Sequence, residues 1–406
     1  MNTAQALSKE DIIENIDALG LLKNIEDEII SWRRELHQMP EIGLDLPKTS
    51  KFVQDRLDEL EIDYELGVGS KYAIVASIDG AYPGDTIAFR ADMDGLPVVE
   101  DTGLDFQSTN GCMHACGHDA HTAILLGAAK VISQNRDRIN GRIVLIFQPG
   151  EEDSTGARPI AKSGILEDYN VQRIFGLHVG GIGSGRDKGK LFLNPGPMMA
   201  CLDSFKMEIK GRGSHGAYPD KSIDPITMGS YIVTGLQEII SREIDPTEPG
   251  VITIGSFQAG SAYNVIPDSV KIEGTARAVT EEQRRYIASR IGEVANAIAT
   301  GFRGSVDYNY TFGAPPLVND RESTMMALGS AQKVLGKENI ILTSKPVMGG
   351  EDFAEYLERV PGSFMFFENM MEIDGKIHPH HNPKFALDEA SFIEAASVFV
   401  QLALDN

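Results

Sequence analysis

The segment "MHACGHDAHTA", residues 113–123, gathers Cys116, His114, His118, His121 and Asp119 in a chain with nine histidines and three cysteines. A thiolate beside neutral imidazoles is a donor set for zinc and similar transition metals, and a poor one for calcium or magnesium. Cys116 and His118 are two residues apart, which on a regular helix puts them on different faces, so both reach one point only from a loop or a helix entrance. The run "TAILLGAAKVI" that follows provides such an entrance, and its peptide N–H groups favour a thiolate there. In "QPGEED", Glu151 and Glu152 are adjacent carboxylates. On an extended segment they point to opposite sides, so one can hold an ion while the other contacts a water and takes its proton. Asp92 and Asp94 of "RADMDG", His178 of "GLHV", and His378, His380 and His381 of "KIHPHHNPKF" complete the candidates.

Each of these has a plainer reading when taken singly. Cys116 and its histidines read as a buried thiol beside surface imidazoles, the glutamates as a solvated acidic loop, the aspartates as caps or turn residues, and the C-terminal histidines as a surface cluster. Residue types alone do not rank His378, His380 and His381. A thiol hydrolase with Cys116 as nucleophile and a histidine as base is a second chemistry, but it leaves the glutamate pair without a task.

The elements that must position these groups are legible. Asp92 and Asp94 follow the apolar run in "DTIAFRADMDG", the glutamates follow "GRIVLIFQPGEED", and His178 closes "VQRIFGLHVGG". Such short β-branched runs suit strands buried on both faces of a parallel or mixed sheet. The helix over "TAILLGAAKVISQN" makes the crossover between the first two. Ligand crevices in open α/β sheets lie beyond the carboxyl ends of the strands, so residues distant in sequence converge there. Upstream, helical spacing covers "SKEDIIENIDALGLLKNIEDEIISWRRELHQMPE", with Ser8 and Asp11 resembling a capping box and Pro40 ending the run, and a further helix lies from Thr49 on.

From about Leu191 the order becomes strand, helix, strand, strand, helix, strand, which is the ferredoxin-like signature. Residues 195–312 therefore read as an inserted α+β domain. Alternating helices and strands resume after "GAPPLVND", so residues 1–194 and 313–406 form one α/β domain in two parts. A length of 406 residues is well past the size at which one core stops growing, which agrees with two domains.

The formal charge of −22 repels phosphate backbones and anionic lipid, so neither nucleic acid nor membrane is expected as a partner, and an anionic substrate must meet local cations. The opening residues show no basic segment followed by an apolar one, and no run of 18 apolar residues occurs. Three cysteines are too few for a disulfide framework. Together these features predict a soluble, cytoplasmic protein with free thiols.

The motifs "RADMDGLP", "MHACGHDAHTA", "QPGEED", "GLHV", "GRGSHGAYPD", "NVIPD" and "GGEDF", in this order over roughly residues 28–404, resemble those of metal-dependent amidohydrolases. That group includes hippurate hydrolase, bacterial N-acyl-amino-acid deacylases and plant auxin-conjugate hydrolases, within the aminoacylase and zinc carboxypeptidase superfamily. The resemblance implies a mixed-sheet, metallopeptidase-like α/β catalytic domain with an inserted ferredoxin-like lid or dimerisation domain. It implies two divalent metal ions per subunit, zinc or manganese, with cobalt as a further option. The ligands implied are Cys116, His118, Glu152, His178 and His381, the last because the family places a histidine two residues before "PKF". Glu151 matches the general base, while Asp92, Asp94, Asp119 and His121 match positions that support the ligands. His114 keeps its plain reading as a non-ligand.

In the inserted domain, His215 of "GRGSHGAYPD" matches a histidine that reaches a neighbouring subunit's site to hold the oxyanion, so a homodimer or higher homo-oligomer is implied. Asn264 and Arg277 match positions that bind the substrate carboxylate. The activity implied is cleavage of the amide bond of an N-acyl-L-amino acid, a small-molecule substrate of hippurate or N-acetyl type. A dipeptidase or carboxypeptidase on the same site, and a catalytically silent binding protein on the same fold, are the alternatives. The sequence departs from the common pattern at "QPGEED" and at the glycine-rich "HVGGIGSGRDKGKLF". Both border the expected crevice and bear on side-chain preference rather than on ion binding.

Overall fold

The computed structural model describes residues 17–181 and 187–406. The Ser8–Asp11 capping box and part of the glycine-rich segment after His178 lie outside the described residues. The chain divides into two compact units, one comprising residues up to Gly196 with Asn319–Ser344 and Glu355–Asn406, the other comprising Pro197–Val318 and Lys345–Ala354. The short stretch 345–354 thus groups with the second unit.

The first unit is built on an eight-stranded mixed sheet in the order Tyr64–Leu66, Ile74–Asp79, Asn140–Gln148, Tyr82–Asp92, Val171–Gly180, Gly362–Glu368, Lys190–Leu193, Ile340–Leu342. The four central strands run parallel, and their registers pair Asp92 with Gln148 and His178 with Phe366. This brings the ends that carry the candidate residues side by side. The runs Ile87–Asp92, Ile143–Gln148 and Ile174–Gly180 are buried without interruption, as strands covered on both faces must be. Helix His118–Gln134 makes the crossover and packs against helices Glu26–His37 and Phe392–Asp405. Phe392–Asp405 is apolar nearly all round and accordingly buried along its length.

The second unit carries a four-stranded antiparallel sheet in the order Gly250–Ala259, Ser269–Ala278, Asp203–Lys210, Ser305–Thr311. Helices Pro225–Glu238 and Glu281–Gly301 complete the strand–helix–strand–strand–helix–strand order. Alternation along Asp203–Lys210 sends Phe205, Met207 and Ile209 inward, where they meet Met228, Ile232 and Ile291 of the helices. Both helices start on side-chain caps. Asp224 accepts from the Ile226 and Thr227 amides ahead of a proline at the first helical position, and Thr280 accepts from the Gln283 amide. No helix among the described residues is long and apolar enough to cross a membrane.

Candidate metal centre

Cys116 and His118 face the same point because Gly117 separates them. It sits at φ 90° as the residue preceding the first turn of helix His118–Gln134, and its carbonyl accepts from the amides of Ala120 and His121. A side chain at that left-handed position would also lie 3.2 Å from Leu387 and Val179. The helix entrance expected from the two-residue spacing is therefore made by a glycine.

His178 and Cys116 stand opposite each other, with Nε2 3.4 Å from Sγ. The His178 Nδ1–H donates to its neighbour's carbonyl, Val179 O, at 2.6 Å, so Nε2 presents a bare lone pair to the sulfur. Burial, with His121 and His380 close by, holds His178 neutral. His121 is occupied on both nitrogens. Its Nε2 accepts from the Val179 amide at 2.9 Å, so its proton is on Nδ1 and donates to Asp92 at 2.5 Å. This excludes His121 as a ligand and makes it the link between Asp92 and the His178 strand. Asp92 also accepts from Arg90 at 2.7 Å. Burial opposes the charge on Asp92, but His118, Arg90 and His121 outweigh it and hold the carboxyl well below the usual carboxylate range.

The glutamate pair differs from the extended geometry expected. Glu151 and Glu152 lie on a turn that follows Gly150 at φ 71°, and the turn rotates both side chains to one side. One carboxylate oxygen of each lies 3.9 Å from His118 Nε2. Asp94 fixes the turn by accepting from the Glu151 amide at 3.0 Å and the Glu152 amide at 3.2 Å. Burial raises Glu152 to about 7, against the pull of His118 and with the help of Asp94 and Asp92.

Of the three C-terminal histidines, two arrive. His381 Nε2 lies 3.3 Å from Glu152 Oε2, and its ligand atom groups with those of Cys116 and Glu152 within 4.8 Å. The His381 backbone is left-handed at φ 65°, uncommon for a residue with a side chain, and its amide donates to Ala115 O at 2.8 Å, which ties this turn to the Cys116 loop. His380 Nδ1 lies 3.7 Å from Cys116 Sγ, a contact not anticipated from the sequence. His378 bonds within its own hairpin, to Ile373 O. The adjacency "HH" was the available signal for His380, but residue type does not say which way each ring turns.

Asp119 does not face the ligand cluster as expected. It pairs with Arg33 at 2.8 Å and His37 at 2.7 Å, in a buried group that includes Glu100. Successive residues of a helix are rotated by about 100°, so the first turn points His118 and Asp119 in different directions. His114 is buried with both ring nitrogens unpartnered among the described residues, and burial lowers it to about 4. In the second unit His215 and Asn264 are neighbours on an exposed two-strand ladder, where His215 pairs with Val265 and the Gly216 amide donates to Asn264 O. Arg277 lies on strand Ser269–Ala278 and donates to Ala276 O and Asp203 O.

The cluster in the first unit has the character of a cation site. Both nitrogens of His118 and Oε1 of Glu152 are buried without a hydrogen-bond partner among the described residues. The oxygens of Asp92, Asp94, Glu151 and Glu152 stand 3.4–3.9 Å from the His118 nitrogens. That is too far for good hydrogen bonds, but two ligand atoms on one tetrahedral ion sit about 3.4 Å apart. The lone pair of His178 directed at Cys116 Sγ can take the thiol proton, or an ion in that proton's place. Without an ion, burial would depress His118, but Asp92 and its other neighbours win and raise it well above its ordinary value. A proton on His118 is the charge the anionic cluster then relies on.

The profile described as "Peptidase family M20/M25/M40" matches residues 88–405. The chain is 39% identical over 382 residues to an N-acetyl-L-cysteine deacetylase of Bacillus subtilis, covering 92% of this chain and 87% of that one. It is 38% identical to thermostable carboxypeptidase 1 of Saccharolobus solfataricus, covering 92% and 95% of the two chains. The crystal structure of the Bacillus subtilis protein YXEP, described as a dinuclear metal binding peptidase from the M20 family, matches with a TM-score of 0.82 at 34% identity, over 94% of this chain and 98% of that one.

Proposed function

Because the chain belongs to peptidase family M20/M25/M40, we propose that its site cleaves the amide bond of an N-acyl-L-amino acid, releasing a carboxylate and the free amino acid. The observation that carries this reading is the convergence in one unit of Cys116, His118, Glu152, His178 and His381, with Glu151 beside them and its backbone anchored by Asp94. Those five residues would hold two divalent ions, zinc, manganese or cobalt, with availability in the cell deciding among them. When bound, the ions supply Lewis-acid polarisation of the scissile carbonyl and a nucleophile at neutral pH. Glu151 takes the proton from the attacking water and returns it to the nitrogen of the leaving amine. Asp92 and His121 orient the ligand helix and the His178 strand, and Asp94 orients the two glutamates.

His215, Asn264 and Arg277 complete the reading in the second unit. The Ala217 amide donates to His215 Nδ1, which leaves the ring proton on exposed Nε2, a donor suited to an oxyanion. We assign that role to His215 across a homodimer formed through the inserted domain, and the binding of the substrate carboxylate to Asn264 and Arg277. The described cysteines Cys112, Cys116 and Cys201 are all free thiols, which fits a cytoplasmic enzyme.

The test is hydrolysis of a panel of N-acetyl, N-benzoyl and indoleacetyl amino acids and of dipeptides, before and after chelation and after each metal is restored. Activity lost on chelation and regained with one metal is expected. Activity that survives chelation would return the reading to Cys116 as nucleophile. Preference for dipeptides would favour the carboxypeptidase activity named for the Saccharolobus solfataricus relative. Glu151→Gln should retain its metal and lose about 10²- to 10⁴-fold in turnover, the range for removing a general base.

A further inference from the structure

We propose that His380 is a positioning residue which donates a hydrogen bond from Nδ1–H to the sulfur of Cys116 and so sets that thiolate's direction and donor strength toward the metal. The inference rests on the reading of Cys116 as a ligand, and adds to it a residue outside the expected ligand set. Two imidazoles flank one sulfur. His178 Nε2 stands 3.4 Å from Sγ and His380 Nδ1 3.7 Å from it. Their tautomers are opposite, and the backbone decides both. His178 spends its proton on Val179 O and faces the sulfur with a lone pair. His380 accepts at Nε2 from the Gly181 amide at 3.2 Å, so its single proton is on Nδ1, aimed at the sulfur.

A ring with one nitrogen accepting from an amide and the other carrying the proton has no lone pair left for an ion. The same geometry that makes His178 a ligand therefore makes His380 a donor. The ring is also held in place. A Cβ at Gly180, where φ is 109°, would lie 2.3 Å from His380 Cε1, so the glycine lets the backbone pass against the imidazole. On the other side His380 stacks against Phe385 with ring centroids 4.7 Å apart, and the amide of His381 is fixed to Ala115 O. A hydrogen bond to a thiolate lowers the energy of its lone pairs, and partners of this kind orient metal ligands and tune their strength.

The test uses the full-length protein loaded with cobalt(II), whose sulfur-to-cobalt charge-transfer band reports the Cys116 thiolate directly. Wild type should show the band and Cys116→Ser should lose it. If wild type shows none, the ligand reading fails and this inference with it. His380→Phe keeps a ring and removes the donor. It should shift the band to longer wavelength and weaken metal retention against a chelator about 10-fold, the lower end for loss of such a partner. His380→Asn places an amide N–H near the Nδ1 position and should restore both. A band and affinity unchanged in His380→Phe, with the Cys116→Ser control behaving as stated, would overturn the role of His380 and leave the ligand reading intact. A His380→Asn protein as impaired as His380→Phe would show that the ring, and not its N–H, is what matters, and would also refute the inference.

Discussion

Asp94→Asn separates the positioning of the glutamates from their chemistry. Asp94 is 1% exposed and its two oxygens accept from the amides of Glu151 and Glu152, the residues read as base and ligand. Hydrogen bonds to a charged group contribute about 1.5–3 kcal/mol each. Asparagine keeps one carbonyl acceptor but turns an NH2 toward the other amide, so one charge-assisted bond is lost and two donors face each other. The loss is then about 2–3 kcal/mol, the worth of that bond, because the site is buried and water cannot replace it. If the displacement is felt in the transition state, kcat/KM falls about 30- to 150-fold, at 1.36 kcal/mol per factor of ten. The assay is steady-state hydrolysis of the best N-acyl amino acid from the panel, with metal content measured on the same sample. The expected pattern is a lower kcat with metal retained, because the ligands other than Glu152 are untouched. A kcat/KM within about twofold of wild type at full metal content would refute the claim that Asp94 places the glutamates.

Three further outcomes follow from the same geometry. Gly117→Ala should lower the melting temperature, because alanine is strained at φ 90° and its Cβ meets Leu387 and Val179; a cost of about 1–3 kcal/mol is expected, and an unchanged melt would contradict it. Asp119→Asn takes from buried Arg33 the nearer of its two carboxylates and leaves Glu389 at 3.2 Å, so the cost by chemical denaturation at pH 7 should be about 3 kcal/mol, the lower end for breaking a buried pair. Burial opposes the Asp119 charge, but Arg33 and His37 hold its carboxyl far below the usual range, so its stabilisation is full above the unfolded pKa near 4 and is lost as pH falls toward the folded value. The difference between wild type and Asp119→Asn should therefore shrink as pH drops below about 4, and a difference constant with pH would argue against the ion pair. Finally, His121→Phe should weaken metal retention about 10- to 100-fold, because it removes the partner that joins Asp92 to the His178 strand, and equilibrium dialysis would detect it.

Much of this was legible in the sequence because it depends on local rules. The buried runs before Asp92, after Gly141 and before His178 read as strands from their β-branched composition, and the structure places them at the centre of the sheet. The helix after "HACGHD" was expected from composition, though it begins already at His118. The helix expected from Thr49 through Leu66 ends at Glu59, and Tyr64–Leu66 is instead an edge strand paired with Ile74–Asp79 just downstream. Ile74–Asp79 and Lys190–Leu193 were not read, being short near-edge strands that pair with the distant Asn140–Gln148 and Gly362–Glu368.

Residue type and spacing by themselves determined the donor chemistry, the order of helices and strands, and the carboxyl-end crevice where Asp92, Glu151 and His178 had to gather. Only the tertiary structure decided that Gly150 and its turn bring both glutamates to one face of His118, that Asp119 turns away to Arg33, and that His380 as well as His381 reaches the Cys116 loop. The tautomers that leave His178 with a bare Nε2, His121 with both nitrogens engaged and His380 with its proton on Nδ1 came from it as well. The reason is physical. Periodicity constrains which way neighbouring side chains point within one element, whereas a ring's proton and its direction are set by amides and carbonyls such as those of Val179 and Gly181, which folding alone brings alongside.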